Sequence, residues 1–272
     1  MQNANLEKPA QAFLKDPSAG AEKGMEARRR VWILGTGIDM LTMEGACAQI
    51  EAFIREGLPK QVVTADASAL VLANRDSEFQ EVVQNSALVT ADGAGVLWAS
   101  RKLREPLPER VSGVDLVDEL CRISAQKGYR VFFLGSAPGV AEEAAQNLCA
   151  KYPGLTIAGT AHGFFSPEEE SQIVERIRNS RTDILFVGMG MPKQEIFIFR
   201  NLYGLNAKVA IGVGGSFDVL SGRVKRAPLL LQKLRLEWLW RLIQNPRKWR
   251  KVVLLPIFVK MVLQEARRPL QE

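Results

Sequence analysis

Asp92 is the residue of this chain best suited to acid–base work. It lies in Leu88-Val89-Thr90-Ala91-Asp92-Gly93-Ala94-Gly95, where an apolar run gives way to a carboxylate among small residues. At a strand end such a carboxylate can meet a substrate while partly desolvated, and desolvation raises its pKa towards the range of a useful base. The competing reading is that Asp92 only caps a helix that begins near Ala94. Three other junctions have the same form: Val62-Val63-Thr64-Ala65-Asp66, Phe132 to Gly139 with Gly135 and Ser136 at its turn, and Gly188-Met189-Gly190-Met191-Pro192-Lys193-Gln194. Ser136 could cap the helix that follows it, with Pro138 in the first turn, and the free amides of that turn would accept a phosphate. Each loop alone is an ordinary strand-to-helix turn. Together they suggest a nucleotide-type ligand, a nucleoside diphosphate, since open parallel sheets bind ligands at their carboxyl ends. The chain has neither GxxxxGK[ST] nor GxGxxG, which argues against a P-loop or a standard dinucleotide site.

Other chemistries have little to stand on. His162 is the one histidine, which leaves no His-based metal cluster. It precedes an aromatic pair in Ala161-His162-Gly163-Phe164-Phe165-Ser166-Pro167, a setting that suits a structural hydrogen-bonder or a pocket wall. No Asp-x-Asp pair is present to clamp a metal-bound nucleotide, so no metal and no cofactor is expected. Cys47, Cys121 and Cys149 are an odd, widely spaced set and read as free thiols in a reducing compartment. Without a metal, an anionic leaving group needs Arg, Lys or backbone amides. Arg110 and the basic C-terminal segment are the available cations.

The elements that must position these residues alternate. Regular structure is expected to start at Val31-Trp32-Ile33-Leu34, after a loose tail over 1–28. Strands are predicted at 61–64, 87–90, 130–134, 156–160, 184–187 and 209–213. Helices are predicted at 42–56, 67–75, 78–84, 94–103, 114–127, 138–151, 167–179, 192–202 and 216–221, with Ser166 and Pro167 opening the seventh. This order implies an α/β fold, a largely parallel, Rossmann-like sheet covered by helices on both faces, over residues 29–228. Beyond Pro228 the strands stop. Residues 229–272 read as a helical appendage, interrupted near Asn245-Pro246 and at Pro256.

Charge divides the chain at the same place. From Arg223 to Glu272 there are 13 Lys and Arg against 3 Asp and Glu, whereas the preceding residues carry 23 against 27. Three of the five tryptophans, Trp238, Trp240 and Trp249, fall in this basic segment. A mildly acidic body with a basic, Trp-bearing tail suggests an enzyme working against an anionic surface. Cations alternating with Leu, Ile, Val and Trp suit a membrane interface better than nucleic acid, whose recognition needs polar spacing. No stretch reaches the roughly 20 apolar residues of a membrane span, and no signal peptide is recognisable at the N-terminus. Peripheral attachment to the cytoplasmic face of the membrane is therefore expected. The tail helix could instead pack on the body or on a neighbouring subunit of a homo-oligomer.

Several ordered motifs carry a family resemblance. They are residues 62–73, Thr90 to Gly95, Arg110-Val-Ser-Gly-Val-Asp-Leu, Gly188-Met-Gly-Met-Pro-Lys-Gln-Glu, and Gly212 to Gly222. Arg226-Ala-Pro, Leu236-Glu-Trp-Leu and Asn245-Pro-Arg follow in the expected order. From about residue 31 to 260 the chain resembles the WecG/TagA/CpsF glycosyltransferases. The resemblance implies a metal-independent, inverting transfer from a UDP-sugar to a polyprenyl-diphosphate-linked sugar, in surface polysaccharide or teichoic-acid-type synthesis. It implies Asp92 as general base, Thr64 and Asp66 at pocket positions, Arg110 on a phosphate or the acceptor, and Gln194 positioning the donor. Gly135, Ser136, Gly188 and Gly190 would line the substrate site. Arg223, Arg226, Arg241, Arg247 and Arg250 would hold the diphosphate or meet lipid.

Three positions depart from the family pattern. Asp66 stands where many members have Asn, Arg235 where a Gly often precedes Leu-Glu-Trp, and Asn245 where Glu is frequent before Pro. The first leaves N-acetylmannosamine and the hexoses open as the transferred sugar. The rival reading is a non-catalytic nucleotide-binding protein with a nucleic-acid-binding tail.

Overall fold

The structure, a computed structural model, describes residues 29–228, 231, 237–244 and 249–267, apart from the side chains of 237, 238, 241, 242 and 249–252. The expected N-terminal tail and the Asn245-Pro246 break lie outside the described residues.

Six strands form one sheet: β3 (Lys60–Ala65), β4 (Leu88–Ala91), β5 (Arg130–Gly135), β6 (Thr156–Ala161), β7 (Ile184–Gly188) and β8 (Val209–Gly212). Their order is β4-β3-β8-β7-β5-β6, with every neighbouring pair parallel. Strands covered on both faces must be apolar at successive positions, which is why they read as short apolar runs. On one face Val62, Phe133, Phe186 and Ile211 pack under α1 (Met43–Glu56), α5 (Gly113–Lys127), α6 (Val140–Lys151) and α9 (Ser216–Leu220). On the other, Val63 and Val89 meet α2 (Ala67–Arg75), α3 (Ser77–Gln84) and α4 (Ala94–Lys102). Phe132 and Val187 meet α7 (Pro167–Asn179) and α8 (Lys193–Leu205) on that same face. The result is a three-layer, Rossmann-like α/β fold.

The described residues open with a hairpin that the sequence did not announce. β1 (Arg30–Ile33) pairs antiparallel with β2 (Thr36–Asp39). Leu34 and Gly35 both have positive φ, 52° and 77°, the mirror-image turn that matches strand twist. A leucine there hides the turn, because Asn-Gly or Gly-Gly is the usual signal. Tertiary contacts hold it: Leu34 N donates to Glu265 at 3.0 Å, and Asn74 Nδ2 donates to Leu34 O at 3.2 Å. Asp39, buried, accepts from Val89 N at 2.8 Å and from Arg30 Nε at 3.2 Å, so it ties the hairpin to the β4 edge.

Beyond α9 the described residues include α10 (Glu237–Gln244) and α11 (Trp249–Glu265). α11 runs through Pro256 without the interruption expected there. Phe258 and Val262, one turn apart, are 1% and 0% exposed and insert between α2 and α4. That burial on one face holds the helix together across the missing proline donor. Among the described residues no helix is long and apolar enough to cross a membrane.

Candidate active site

The carboxyl ends of β4, β3 and β8 bring the first group of residues together. Asp92 follows β4, and its amide donates to Ala65 O at 2.9 Å, joining the two strand ends. Its carboxylate accepts from Gly113 N at 3.2 Å, at the first turn of α5. The α4 helix is instead preceded by Gly93 at φ 94°, with no side-chain cap. Asp92 is therefore not the N-cap residue of the helix it precedes in sequence. The carboxylate faces the positive end of a different helix, where a negative charge is favoured.

Thr64 and Asp66 flank the end of β3. Thr64 Oγ1 donates to Gly212 O at 2.7 Å, and Asp66 caps α2 by accepting from Ala69 N at 2.9 Å. Gly113 lies close against Thr64, Val213 and Ser216. A Cβ there would lie 3.3 Å from both Ser216 Oγ and Val213 O, and 3.5 Å from Thr64 Oγ1. Sequence reasoning singled out neither Gly113 nor Ser216 individually, although both fall inside quoted motifs.

Arg110 and Arg226 reach the same place from distant segments. Arg110 Nη2 lies 3.6 Å from Asp115 Oδ2, and Arg226 Nη2 lies 2.6 Å from Asp115 Oδ1. Asp115 also accepts from the Ser112 hydroxyl, while Ser112 caps α5 by accepting from Asp115 N. Asp115 is the connecting residue that the sequence did not reveal.

A second group forms where β5 meets β7. The chain leaves β5 for α6 on one face and leaves β7 for α8 on the other, so this is a topological switch point of the sheet. Gly135 has φ 143°, and a Cβ on it would fall 2.5 Å from the Gly188 carbonyl. Ser136 N donates to Gly188 O, and Gly163 N donates to Ser136 O, each at 2.9 Å. Ser136 does not cap α6, contrary to the expectation above. The helix starts later, at Val140 behind Gly139 (φ 84°), because Ser136 is turned into positive φ to cross-link the strand ends. His162 belongs to this group, and its Nδ1 is buried with no hydrogen-bond partner among the described residues. Ser166, by contrast, forms the full capping box with Glu169 at the start of α7.

Gln194 joins the two groups. It is buried, and its carboxamide oxygen accepts from Gly190 N at 3.1 Å and from Gly214 N at 3.0 Å. Its amide nitrogen donates to Glu195 at 2.7 Å. Gln194 thus fixes the turns after β7 and β8, and it can influence a ligand by holding those turns. The Met191-Pro192 peptide in the first of them is cis.

The basic residues of the tail divide. Arg226 reaches Asp115. Arg223 forms a two-pronged pair with Glu143 at 2.7 Å on each arm, beside the start of α6. The guanidinium holds the Glu143 carboxyl below the usual carboxylate range and is itself raised by it. Arg247 lies outside the described residues, as do the side chains of Arg241 and Arg250. α10 grips the backbone beside Arg226: Trp240 Nε1 and Gln244 Nε2 donate to Lys225 O at 3.1 and 2.8 Å, and Lys225 N donates to Gln244 at 3.1 Å.

Among the described residues no cluster of three or more His, Cys, Asp or Glu is placed to hold a metal ion. An open groove of about 700 Å³ between α7 and α8, lined by Pro167, Glu170, Val174 and Asn201 among others, includes no member of either group. The strand ends of the sheet hold Thr64, Asp66, Asp92, Gly135, Ser136, Gly188 and Gly190, whereas Arg110 precedes α5, Gln194 lies in α8, and Arg223 and Arg226 follow α9.

Comparison with known proteins points the same way. Residues 31–272 match the model of the glycosyl transferase WecG/TagA/CpsF family. The chain is 36% identical over 206 residues to an N-acetylglucosaminyldiphosphoundecaprenol N-acetyl-beta-D-mannosaminyltransferase of Bacillus spizizenii, covering 76% of this chain and 79% of that protein. A Staphylococcus aureus protein of the same description is 34% identical over 241 residues, covering 88% of this chain and 94% of the relative.

Proposed function

The chain belongs to the WecG/TagA/CpsF family of glycosyltransferases, and on that premise we propose that it transfers a sugar from a UDP-sugar to polyprenyl-diphosphate-linked N-acetylglucosamine, with Asp92 as general base. The described relatives are N-acetylmannosaminyltransferases acting on an N-acetylglucosaminyl-diphosphoundecaprenol acceptor. UDP-N-acetylmannosamine is accordingly the first donor to consider, with UDP-hexoses as the alternative that Asp66 leaves open.

The observation that carries the mechanism is the Asp92 carboxylate held by Gly113 N at the carboxyl edge of the sheet. In the proposed step an acceptor hydroxyl gives its proton to Asp92 as its oxygen bonds to the anomeric carbon. The bond from that carbon to the β-phosphate oxygen breaks, and UDP leaves with the electron pair, inverting the configuration. One base and stabilisation of the leaving group suffice for such a displacement, so neither a covalent nucleophile nor a metal is needed. Arg110 and Arg226 both pair with Asp115 in the first turn of α5, the turn that gives its amide to Asp92, and would stabilise the pyrophosphate. The basic tail would bring the enzyme to the cytoplasmic face of an anionic membrane, where the lipid acceptor resides.

The test is UDP release from a panel of UDP-sugars with a short-chain polyprenyl-diphosphate N-acetylglucosamine acceptor, in the presence of EDTA. Acceptor-dependent release from one donor is expected and identifies the sugar. No release from any donor, with or without added lipid, would reject the reading. Release abolished by EDTA and restored by a divalent cation would reject metal independence alone.

A further inference from the structure

Asp115 stands at the third position of α5, the helix whose first residue gives its amide to Asp92. A carboxylate near a helix N-terminus stabilises the helix by itself, and Ser112 already caps this one. Neither fact explains why two arginines from separate segments turn to it. Arg110 comes from the loop before α5, and Arg226 from beyond β8. Each takes a different carboxylate oxygen, at 3.6 and 2.6 Å, and the Ser112 hydroxyl donates to the oxygen that faces Arg110. One negative charge between two guanidiniums leaves a net positive charge. The planar fork of a guanidinium can also serve a carboxylate and a phosphate together.

We infer that Asp115 is a positioning residue, which sets Arg110 and Arg226 side by side at the first turn of α5, the turn bonded to Asp92, so that they receive a pyrophosphate group. The inference rests on the glycosyltransferase reading for its substrates, but pyrophosphate recognition can be measured apart from turnover. It also links the site to the tail. α10 grips the backbone of Lys225, so the residue that reaches Asp115 is held by its neighbour from the C-terminal segment. Pyrophosphate occurs in both the nucleotide donor and the lipid acceptor, and the experiment separates them.

The full-length wild type, Asp115→Asn, Arg110→Ala/Arg226→Ala and the triple variant are compared in two assays. Calorimetry reads the Kd of UDP and of inorganic pyrophosphate, and initial rates read kcat and the acceptor KM. Asp115→Asn is expected to weaken UDP and pyrophosphate binding or raise the acceptor KM roughly tenfold, the loss of one charge-assisted hydrogen bond. It is expected to add nothing once both arginines are gone. A loss in UDP binding assigns the nucleotide pyrophosphate. A raised acceptor KM with UDP binding unchanged assigns the lipid pyrophosphate.

An unaltered Asp115→Asn enzyme would overturn the inference. So would an equal further loss in the background lacking both arginines, which would mean that Asp115 acts only through α5. Should Asp115→Asn fail to fold, Asp115→Glu keeps the charge and the helix preference but displaces the carboxylate. The same loss is expected from it, and wild-type behaviour would again overturn the inference. A wild type that binds pyrophosphate but transfers no sugar would reject the glycosyltransferase reading and leave the binding comparison standing. A wild type that binds neither UDP nor pyrophosphate overturns the inference itself.

Discussion

Gly113 donates its backbone amide to Asp92 Oδ2 at 3.2 Å, so the proposed base and the first turn of α5 form one unit. The chain between them leaves the sheet through α4 and returns at a tight spot, where a Cβ on Gly113 would press 3.3 Å from Ser216 Oγ and Val213 O. The hydrogen bond that ties the carboxylate to α5 thus comes from backbone.

This arrangement makes Asp92→Asn a clean substitution. The asparagine carbonyl can still accept from Gly113 N, so the melting temperature and the UDP affinity should stay close to wild type. The proton acceptor is lost, and kcat should fall by about 10²- to 10⁴-fold. Turnover within a few-fold of wild type, measured as UDP release, would remove Asp92 from the role of base.

Gln194 should behave differently, as a residue whose loss is felt in stability first. Gln194→Ala deprives two backbone amides, Gly190 and Gly214, of their acceptor in a half-buried setting. Each orphaned group costs about 1–3 kcal/mol, and each kcal/mol lowers the melting temperature by roughly 2–4 °C in a chain of this size. Calorimetric unfolding should show a drop of several degrees, together with reduced kcat/KM because both turns shift. Gln194→Glu keeps the acceptor but sets a second carboxylate against Glu195, now 2.7 Å away. It should destabilise at least as much as the alanine. A glutamate variant as stable as wild type would refute this account.

What the sequence could and could not show follows from these contacts. The six parallel strands were readable because burial on both faces demands continuous apolar runs, and Asp92 because a carboxylate follows one of them. The hairpin strand β2 was hidden because Leu34 adopts positive φ under tertiary restraint from Asn74 and Glu265. Ser136 looked like a cap because serine before a proline and a glycine favours one, yet the close approach of Gly135 to Gly188 claims its backbone. Asp115 lay inside the Arg110-Val-Ser-Gly-Val-Asp-Leu motif, yet nothing local marked it as a meeting point. Its partners are an arginine upstream and another beyond β8, a convergence that only the fold produces.

The thiols offer a pH-dependent check on the packing between α1 and α5. Burial pushes the Cys47 thiol up to about 12, and Cys121 is raised further by the same cause. Thiolate is the reactive species, so a disulfide reagent at pH 8 should leave both untouched in the folded protein. Cys149, only partly buried, should react slowly. The sign of the linkage follows: above the ordinary thiol range the unfolded chain loses these protons while the folded chain keeps them, so stability should fall as pH rises beyond about 9. Rapid labelling of Cys47 or Cys121 without denaturant would contradict the packing of this layer.

The C-terminal helix has to be tested without removing it. Phe258 and Val262 complete the core over α2 and α4, and Glu265 holds the Leu34 turn. Truncation after Pro228 would strip all three and expose apolar surface, so lower stability and dye binding are expected whatever the tail does at a membrane. Phe258→Ala alone should cost about 3–5 kcal/mol. The opposite side of α11 carries Val253, Val259 and Leu263, which are 50%, 39% and 37% exposed. Their replacement by serine leaves the core face intact. If this face docks on lipid, the triple variant should melt near the wild-type temperature yet lose co-sedimentation with anionic vesicles. It should also slow on a long-chain lipid acceptor while keeping its rate on a short-chain one. Vesicle binding unchanged in the triple variant would remove this face from the membrane role and leave it to the basic residues alone.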